Sequence, residues 1–337
     1  MPLSLLDISN SLKNASVCIK VPELQGGKPV EVNGHLVSSA GGYCVVYKYQ
    51  LANGDYKALR IWHKDLSCLP DLEEVASKVS AKLTELNSNY FVEYKYYDKA
   101  ILVGGQFYPI VVMDWCEGQD LKDYISENIN DRETIREIAN QFLEMVKYFH
   151  DNNISHGDLQ HGNIRIRKDG SMCVLDYDSM YVPSLNGKIE YIKGLPSFQH
   201  PTARENNKFL SPKVDYFSEV VIYLSLMLLI EDPDLWTDEI KKSDDILLFD
   251  NSDLQYINTS SSRLFKFRNT NSNNILWLIR GLQDFMSKTD IEQLRPLEKV
   301  LFQWLTGGPS RPSGNKERGK TECAKINLDD LFKTFKM

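Results

Sequence analysis

The sequence lacks an excess of basic residues. Its 46 acidic residues outnumber its 39 Lys and Arg residues, which leaves a formal net charge of −7 at pH 7. Nucleic-acid phosphates are held mainly by clustered Lys and Arg side chains, so this balance argues against a general nucleic-acid binder. We therefore expect no nucleic-acid partner.

Paired cysteines and long apolar runs are also missing. The six cysteines are scattered without a Cys-x-x-Cys pair, which indicates reduced thiols in a cytoplasmic protein rather than a disulfide frame or a zinc site. The most apolar run, 220–230, is much shorter than the roughly 20 residues that span a bilayer, and it predicts a buried helix instead. The first residues show no signal-peptide pattern. We expect a cytoplasmic protein without a membrane partner.

The first half of the chain has the alternation that is typical of β-strands. A strong hairpin signal at Asn53-Gly54 supports this interpretation. Ahead of the strands, a weakly patterned extension covers 1–34, with one amphipathic helix expected at 4–14. The pattern predicts five strands, at 35–39, 43–49, 56–62, 91–97 and 109–115, and one helix at 70–86.

The second half is mostly helical in its periodicity. A short helix is expected at 121–129 and a long one at 131–150, with Asp131 as its N-cap. Further helices are expected within 213–306, and the composition of 307–320 predicts a flexible linker before a short docking helix. We divide the chain into an N-terminal extension (1–34), an N-lobe (35–116), a C-lobe (117–306) and a linker with a C-terminal tail (307–337).

One segment of the second half carries residues suited to phosphoryl transfer. The sequence HGDLQHGN at 156–163 precedes an apolar run and then Asp176-Tyr177-Asp178. Phosphoryl transfer needs a carboxylate that orients the attacking hydroxyl, together with oxygen ligands for Mg²⁺. We expect Asp158 to be that carboxylate. Asn163 and Asp176 complete the catalytic set as the Mg²⁺ ligands.

This spacing resembles the catalytic loop and metal-binding segment of the protein-kinase-like superfamily. The wording HGDLQHGN with DYD is similar to divergent bacterial eukaryotic-like serine/threonine kinases, and the HGD opening is also similar to aminoglycoside and choline phosphotransferases. The resemblance covers roughly residues 36–306. It implies an α+β, two-lobed fold with a five-stranded antiparallel N-lobe, one inserted helix and a mostly helical C-lobe. It also implies ATP and Mg²⁺ as cofactors and a protein as substrate or partner.

The glycine-rich part of the nucleotide site is degenerate. Against the pattern G-x-G-x-x-G-x-V, the stretch 39–46 keeps only Gly41 at a glycine position. Its neighbour Gly42, together with Val46 and Ala58, completes the set that the resemblance places around ATP. A simple hairpin turn would give the same sequence. The residues that follow 39–46 occur at the spacing found in kinases, and this spacing favours the nucleotide site.

Arg60 takes the position of the phosphate-holding lysine of the third strand. A guanidinium can still hold phosphate oxygens through two hydrogen bonds. The resemblance implies that Arg60 pairs with a carboxylate on the 70–86 helix. We choose Glu74 for this pair, and Glu73 and a surface role for Glu74 stay open. Lys78 is a further alternative for the phosphate contact.

The end of the fifth predicted strand resembles the linker between kinase lobes. Met113 takes the gatekeeper place, and the backbones of Asp114 and Cys116 are expected to bond the adenine edge. Farther on, 194–201 resembles the end of an activation segment. Asp215 matches the residue that anchors the catalytic-loop backbone. The resemblance implies that the long activation segment favours a protein-kinase architecture over a small-molecule one.

Three residues of the motif depart from the kinase pattern. Gly157 replaces the Arg that pairs with a phosphorylated activation loop, so activity is not expected to depend on loop phosphorylation through this residue. Gln160 replaces a lysine that contacts the transferred phosphate. Asp178 replaces the glycine of Asp-Phe-Gly, where it would either help to bind metal or face solvent.

Three hypotheses follow from these residues. The first is an active ATP- and Mg²⁺-dependent serine/threonine protein kinase. The second is a pseudokinase that serves as a nucleotide-binding or scaffold protein, because the third-strand lysine and two loop glycines are missing. The third is a small-molecule kinase of the aminoglycoside or choline phosphotransferase type.

Overall fold

A computed structural model describes residues 3–41, 43–64 and 71–302. Gly42 and the tail predicted at 307–337 lie outside these residues. The chain divides into two compact units. The first comprises the described parts of Met1–Asp120, Gly162–Lys193 and Phe209–Ser211, and the second those of Leu121–His161, Gly194–Lys208 and Pro212–Met337. The predicted domain boundaries stay predictions.

The first unit contains the described strands and three helices. The helices are α1 Leu5–Lys13, α2 Ala15–Cys18 and α3 Leu72–Leu86. The strands are β1 Lys28–Pro29, β2 Glu31–Val32, β3 His35–Leu36, β4 Ser38–Ala40, β5 Cys44–Gln50, β6 Tyr56–Trp62, β7 Tyr94–Val103, β8 Gln106–Asp114, β9 Gly118–Asp120, β10 Ile164–Arg167 and β11 Met172–Val174.

Six strands form an antiparallel sheet in the order β1-β5-β6-β8-β7, with β4 also paired to β5. The hairpin predicted at Asn53-Gly54 is confirmed. The strand predicted at 91–97 is β7, which begins at Tyr94 and extends to Val103, because its turn lies at Gly104-Gly105, where both residues have positive φ. The inserted helix α3 is confirmed as well. The small strand β1 was not predicted, because two residues carry no periodic signal.

The amphipathic helix predicted at 4–14 is confirmed as α1. Its apolar residues Ile8 and Leu12 are fully buried in one cluster with Tyr47, Leu59 and Val112 of the sheet. Successive residues of a strand point to opposite faces. The N-terminal helices therefore cover one face of the sheet, and the intervening residues of β5, β6 and β8 lie on the other face.

A second, three-stranded sheet has the order β11-β10-β9. Asn163 immediately precedes β10, and Asp176 follows β11 by two residues. The backbone N–H of Leu175 donates to the carbonyl oxygen of Asn163 at 2.8 Å. This hairpin therefore holds the two predicted metal ligands at one end of the same small sheet.

The second unit is helical, as predicted. Its helices are α4 Leu121–Asn128, α5 Arg132–Asp151, α6 Ala203–Asn206, α7 Tyr216–Glu231, α8 Asp238–Lys242, α9 Asn251–Gln255, α10 Asn273–Phe285 and α11 Leu297–Phe302.

Local sequence explains the two long central helices. Asp131 caps α5 by accepting hydrogen bonds from the backbone N–H groups of Glu133 and Thr134, which confirms the predicted N-cap. Helix α7 is buried along almost its whole length, because apolar side chains occur on all its sides. Among the described residues, none of the helices has the length and apolar character needed to cross a membrane.

Candidate functional site

The sheet face opposite the N-terminal helices lines a cavity of about 390 Å³ in the first unit. Val46 of β5 pairs with Arg60 of β6. Because successive side chains of a strand point to opposite faces, these two paired residues lie on the same face of the sheet. The cavity brings together six of the predicted nucleotide-site residues, which are Val46, Ala58, Arg60, Met113, Asp114 and Cys116. Gly41 and Glu74 do not line it, and Gly42 is outside the described residues.

Arg60 is almost fully buried and is held by two carboxylates. It donates through Nη1 to Asp176 at 2.9 Å and through Nη2 to Asp178. Burial opposes the charge of Arg60, but Asp178 and Asp176 outweigh it and raise the pKa of Arg60 above its ordinary value. Within the described part of the chain, Nε of Arg60 is buried without a hydrogen-bond partner.

The expected ion pair between Arg60 and Glu74 is not formed. Glu74 pairs instead with Lys188 and Lys78, both at 2.6 Å. Lys78 also donates to the carbonyl oxygen of Ser184. Glu74 is separated from Arg60 because the apolar side of α3 faces the protein interior, whereas Glu74 lies on the exposed flank at 41% side-chain accessibility.

The carboxylate that replaces Glu74 comes from Asp178. Its side chain is only 11% exposed, so the alternative that it faces solvent is wrong. The signal in the sequence was the acidic residue at the glycine position. The spacing of residues along the chain did not show which basic side chain this carboxylate would contact.

Asp176 lines the same cavity and has a strained backbone. Its φ is +65°, a left-handed conformation that costs an L-residue on the order of 1–3 kcal/mol. Its side chain is 49% exposed. Next to it, Tyr177 is buried and donates to the carbonyl oxygen of Val174 while accepting from the backbone of Val92. These contacts fix the position of Asp176.

Two backbone N–H groups at and just after the end of β8 are already engaged in hydrogen bonds. The N–H of Asp114 already donates to the carbonyl oxygen of Glu93 at 3.2 Å, and the N–H of Trp115 donates to that of Tyr56 at 3.3 Å. Asp114 would therefore offer an adenine its carbonyl oxygen rather than its N–H group.

The second unit contains residues 156–161, the first part of the predicted catalytic loop. The carboxylate of Asp215 accepts the backbone N–H groups of His156 and Gly157, which confirms the predicted anchor. The side chain of Arg204 adds a hydrogen bond to the carbonyl oxygen of Gly157 at 2.8 Å. Arg204 was missed, because nothing in its sequence neighbourhood distinguishes a buried arginine from a surface one.

Asp158 is bound to the end of the predicted activation segment. The backbone N–H of Leu195 donates to Oδ1 of Asp158 at 2.9 Å. A Cβ on Gly194 would stand 2.3 Å from that same oxygen and 2.5 Å from Nε2 of Gln199. Glycine at 194 is therefore required by the close approach of the segment to Asp158.

Sequence reasoning also missed Arg165, which lines the cavity of the first unit. Its Nη1 donates to the carbonyl oxygen of Gly118 at 3.4 Å, and its buried Nε has no partner within the described ranges. Arg165 follows the predicted metal ligand Asn163 by two residues on β10. Side chains two residues apart in a strand lie on the same face, and this spacing was the one signal that the sequence offered for Arg165.

Fold and site together define a protein of the kinase class. A family model described as the protein kinase domain matches residues 40–289, more than half of the chain. The chain therefore belongs to the protein kinase domain family and has its α+β, two-lobed fold.

Three of the curated relatives are serine/threonine kinases by name. The chain is 24% identical over 179 residues to CBL-interacting serine/threonine-protein kinase 21 of Arabidopsis thaliana, covering 53% of this chain and 42% of that kinase. It is 34% identical over 128 residues to the probable serine/threonine-protein kinase zyg-1 of Caenorhabditis briggsae, covering 38% and 17%. It is 26% identical over 132 residues to serine/threonine-protein kinase PAK 1 of Mus musculus, covering 39% and 24%. The matched part spans less than half the length of each of these relatives.

Proposed function

We propose that this chain is an ATP- and Mg²⁺-dependent kinase that transfers a phosphoryl group to serine or threonine residues of a protein. The observation that carries the proposal is the cavity lined by Arg60, Asp176 and the linker residues Met113, Asp114 and Cys116. Family membership and the names of the relatives support the same activity.

Two unsatisfied donors support an anionic ligand in this cavity. Nε of Arg60 and Nε of Arg165 are buried at the cavity lining, and neither has a partner among the described residues. A buried donor left without an acceptor costs about 1–3 kcal/mol. Phosphate oxygens of ATP would satisfy such donors, with Arg60 at the phosphates. The aliphatic side chains of Val46 and Ala58 would pack against the base.

The donor set fits Mg²⁺, which prefers carboxylate and amide oxygens and completes its shell with waters and phosphates. Asn163 and Asp176 would hold the ion, whose charge would offset that of the phosphates. Asp176 is half exposed at the cavity, and its left-handed backbone is the kind of strain that persists where function requires it. Arg60 would keep Asp178 as its counterion when Asp176 turns to the metal.

Asp158 is the residue proposed to act on the hydroxyl that accepts the phosphoryl group. Its carboxylate would orient the attacking hydroxyl and receive its proton. The hydrogen bond from Leu195 fixes one oxygen of this carboxylate, and Asp215 fixes the backbone of the loop that carries it. Asp158 is therefore positioned from two sides by described contacts.

A pseudokinase is the second candidate, and one observation favours it. Both terminal nitrogens of Arg60 are already engaged by Asp176 and Asp178, so phosphates must compete with two carboxylates for the guanidinium. The acceptor class and the closer resemblance to a bacterial group remain predictions, as does a small-molecule acceptor in place of a protein.

Thermal unfolding and phosphate transfer test the proposal together. ATP should raise the Tm of the wild type, Mg²⁺ should add to that rise, and Asp176→Asn should lose the added part. Asp158→Asn should keep the rise while phosphate transfer to protein falls by about 10²–10⁴-fold. Unchanged transfer in Asp158→Asn would remove this residue from the mechanism. A full nucleotide effect in a wild type without transfer to any acceptor would establish the pseudokinase.

A further inference from the structure

Two cysteines of the first unit lie in contact. Sγ of Cys116, which follows β8, is 3.6 Å from Sγ of Cys173 in β11. They are 57 residues apart in the chain. Cys116 is partly exposed and lines the cavity, whereas Cys173 is fully buried. Elsewhere in the described residues, Cys18 is partly exposed in α2 and Cys44 is buried in β5.

The surroundings of Cys116 favour a reactive thiolate. The hydrogen bond with Cys173, together with the nearby charges of Arg167 and Arg165, lowers the pKa of Cys116 to about 7 against the opposing effect of burial. Burial, by contrast, raises the pKa of Cys44 to about 11. A partly exposed thiol in an electropositive environment is the kind that oxidants attack first.

We infer that Cys116 and Cys173 are a redox modification site, at which a peroxide closes a disulfide bond at the rim of the cavity. In the first step, the Cys116 thiolate attacks one oxygen of hydrogen peroxide and the O–O bond breaks. Hydroxide leaves and takes a proton to become water, and Cys116 becomes a sulfenic acid. Peroxide is reduced by two electrons in this step.

In the second step, Cys173 attacks the sulfur of the Cys116 sulfenic acid. The S–O bond breaks, the S–S bond forms, and the proton of Cys173 leaves with the hydroxyl group as a second water. Two thiols and one peroxide thus give one disulfide and two waters. A dithiol reductant reverses the reaction by thiol–disulfide exchange.

The bond would change the cavity. A disulfide is about 2.05 Å long, so the two sulfurs must approach by roughly 1.5 Å. Cys173 is held in β11 by its pairing with Arg165, whereas Cys116 lies outside a strand. Cys116 therefore moves. Since its backbone is the proposed contact for the adenine edge, ATP binding should weaken. This consequence rests on the proposed function, but the formation of the bond does not.

Mapping of the disulfide tests the site directly. The full-length chain is treated with hydrogen peroxide, its free thiols are alkylated, and peptides are identified by mass spectrometry without reduction. The wild type should give a peptide pair joined through Cys116 and Cys173. The matched control Cys18→Ser should give the same pair. Cys173→Ser should give none, and its Cys116 should be trapped as sulfenic acid by a dione reagent.

Other disulfide maps would overturn the inference. These are a wild type without the Cys116–Cys173 pair, or one in which Cys116 is joined to another cysteine. Cys173→Ala is a second variant for the same test. A Tm equal to that of the wild type shows whether Cys173→Ser, Cys173→Ala or both keep the fold.

Titration with ATP tests the consequence. Peroxide should weaken ATP binding to the wild type by about tenfold, as expected for the loss of one hydrogen bond. A reductant should restore binding. In Cys173→Ser, peroxide should change the ATP affinity by less than in the wild type, because Cys116 is oxidised to a sulfenic acid but no disulfide forms. A mapped disulfide with unchanged affinity would refute the effect on the cavity. A reduced wild type that does not bind ATP would refute the proposed function and leave the mapped disulfide standing.

Discussion

The guanidinium of Arg60 donates to the carboxylate of Asp178, which follows it by 118 residues in the chain. Arg60 is buried, and the side chain of Asp178 is only 11% exposed. A carboxylate at the usual glycine position thereby serves as the counterion of the third-strand cation. Glu74, which was expected to be that counterion, forms ion pairs with Lys78 and Lys188 instead.

Asp178→Asn should therefore destabilise the protein. Removal of one partner of a buried ion pair costs about 3–5 kcal/mol. Since Asp176 still faces Arg60, we expect a loss of about 2–3 kcal/mol in the free energy of unfolding, measured by urea denaturation. The matched control is Glu74→Gln, which removes an exposed pair and should leave the urea midpoint unchanged. Equal midpoints for the two variants would contradict this role of Asp178.

The N-terminal helix should contribute to the stability of the sheet. Leu12 is fully buried in the core cluster, whereas Leu6 of the same helix is 69% exposed. Leu12→Ala should lower the free energy of unfolding by about 2–5 kcal/mol, because it removes buried methyl groups and leaves a cavity. Leu6→Ala should change it by no more than about 0.5 kcal/mol. A Leu12→Ala variant as stable as the wild type would mean that this helix does not support the sheet.

Gly194→Ala should impair phosphate transfer more than nucleotide binding. The added Cβ would stand 2.3 Å from Oδ1 of Asp158, so the segment or the carboxylate must shift. Misplacement of a catalytic group by about 1 Å can cost on the order of 10²-fold in rate. ATP affinity should be retained, since the residues lining the cavity belong to the first unit. The rate is measured by a phosphate-transfer assay and the ATP affinity by calorimetry.

Leu195→Ala is the control for that variant. It keeps the backbone N–H that donates to Asp158 and adds no atoms near the carboxylate. Its transfer rate should stay within about threefold of the wild type, well inside the 10²-fold expected for a misplaced group. If both variants lost the same activity, the crowding at Gly194 would not be the cause.

His150 should make stability depend on pH. Its ring lies 2.7 Å from Glu219 and 2.9 Å from Glu298. Burial opposes protonation, but the two carboxylates outweigh it and raise the pKa of His150 from 6.5 to about 10. The folded state thus holds the proton more tightly than the unfolded state. Its contribution is complete below about pH 6.5 and is lost as the pH rises toward 10.

Urea denaturation at several pH values tests this dependence. The difference in the free energy of unfolding between the wild type and His150→Gln should be largest near pH 6 and should narrow between about pH 7 and 10. His35 is exposed, so His35→Gln should show no such trend. A difference that widens as the pH rises would contradict the assigned protonation state.

Much of the fold could be predicted from the sequence, because strands and helices of this kind have local signals. The N-cap at Asp131 and the apolar surface of α7 follow from neighbouring residues. The pairing of β5 with β6 follows from one tight turn. The resemblance to the kinase family also predicted the anchor at Asp215, which is confirmed. The short strands β1 and β9 could not be predicted, since two or three residues show no period.

The sequence by itself determined which chemical groups are present and how far apart they lie along the chain, and this was enough to indicate Asp158, Asn163 and Asp176. Only the tertiary structure decided which groups meet. Arg60 contacts Asp178 rather than Glu74, and Cys116 contacts Cys173. An ion pair or a thiol contact depends on distances of a few ångströms between distant parts of the chain. Those distances are set by the packing of whole strands and helices, and spacing along the sequence does not contain them.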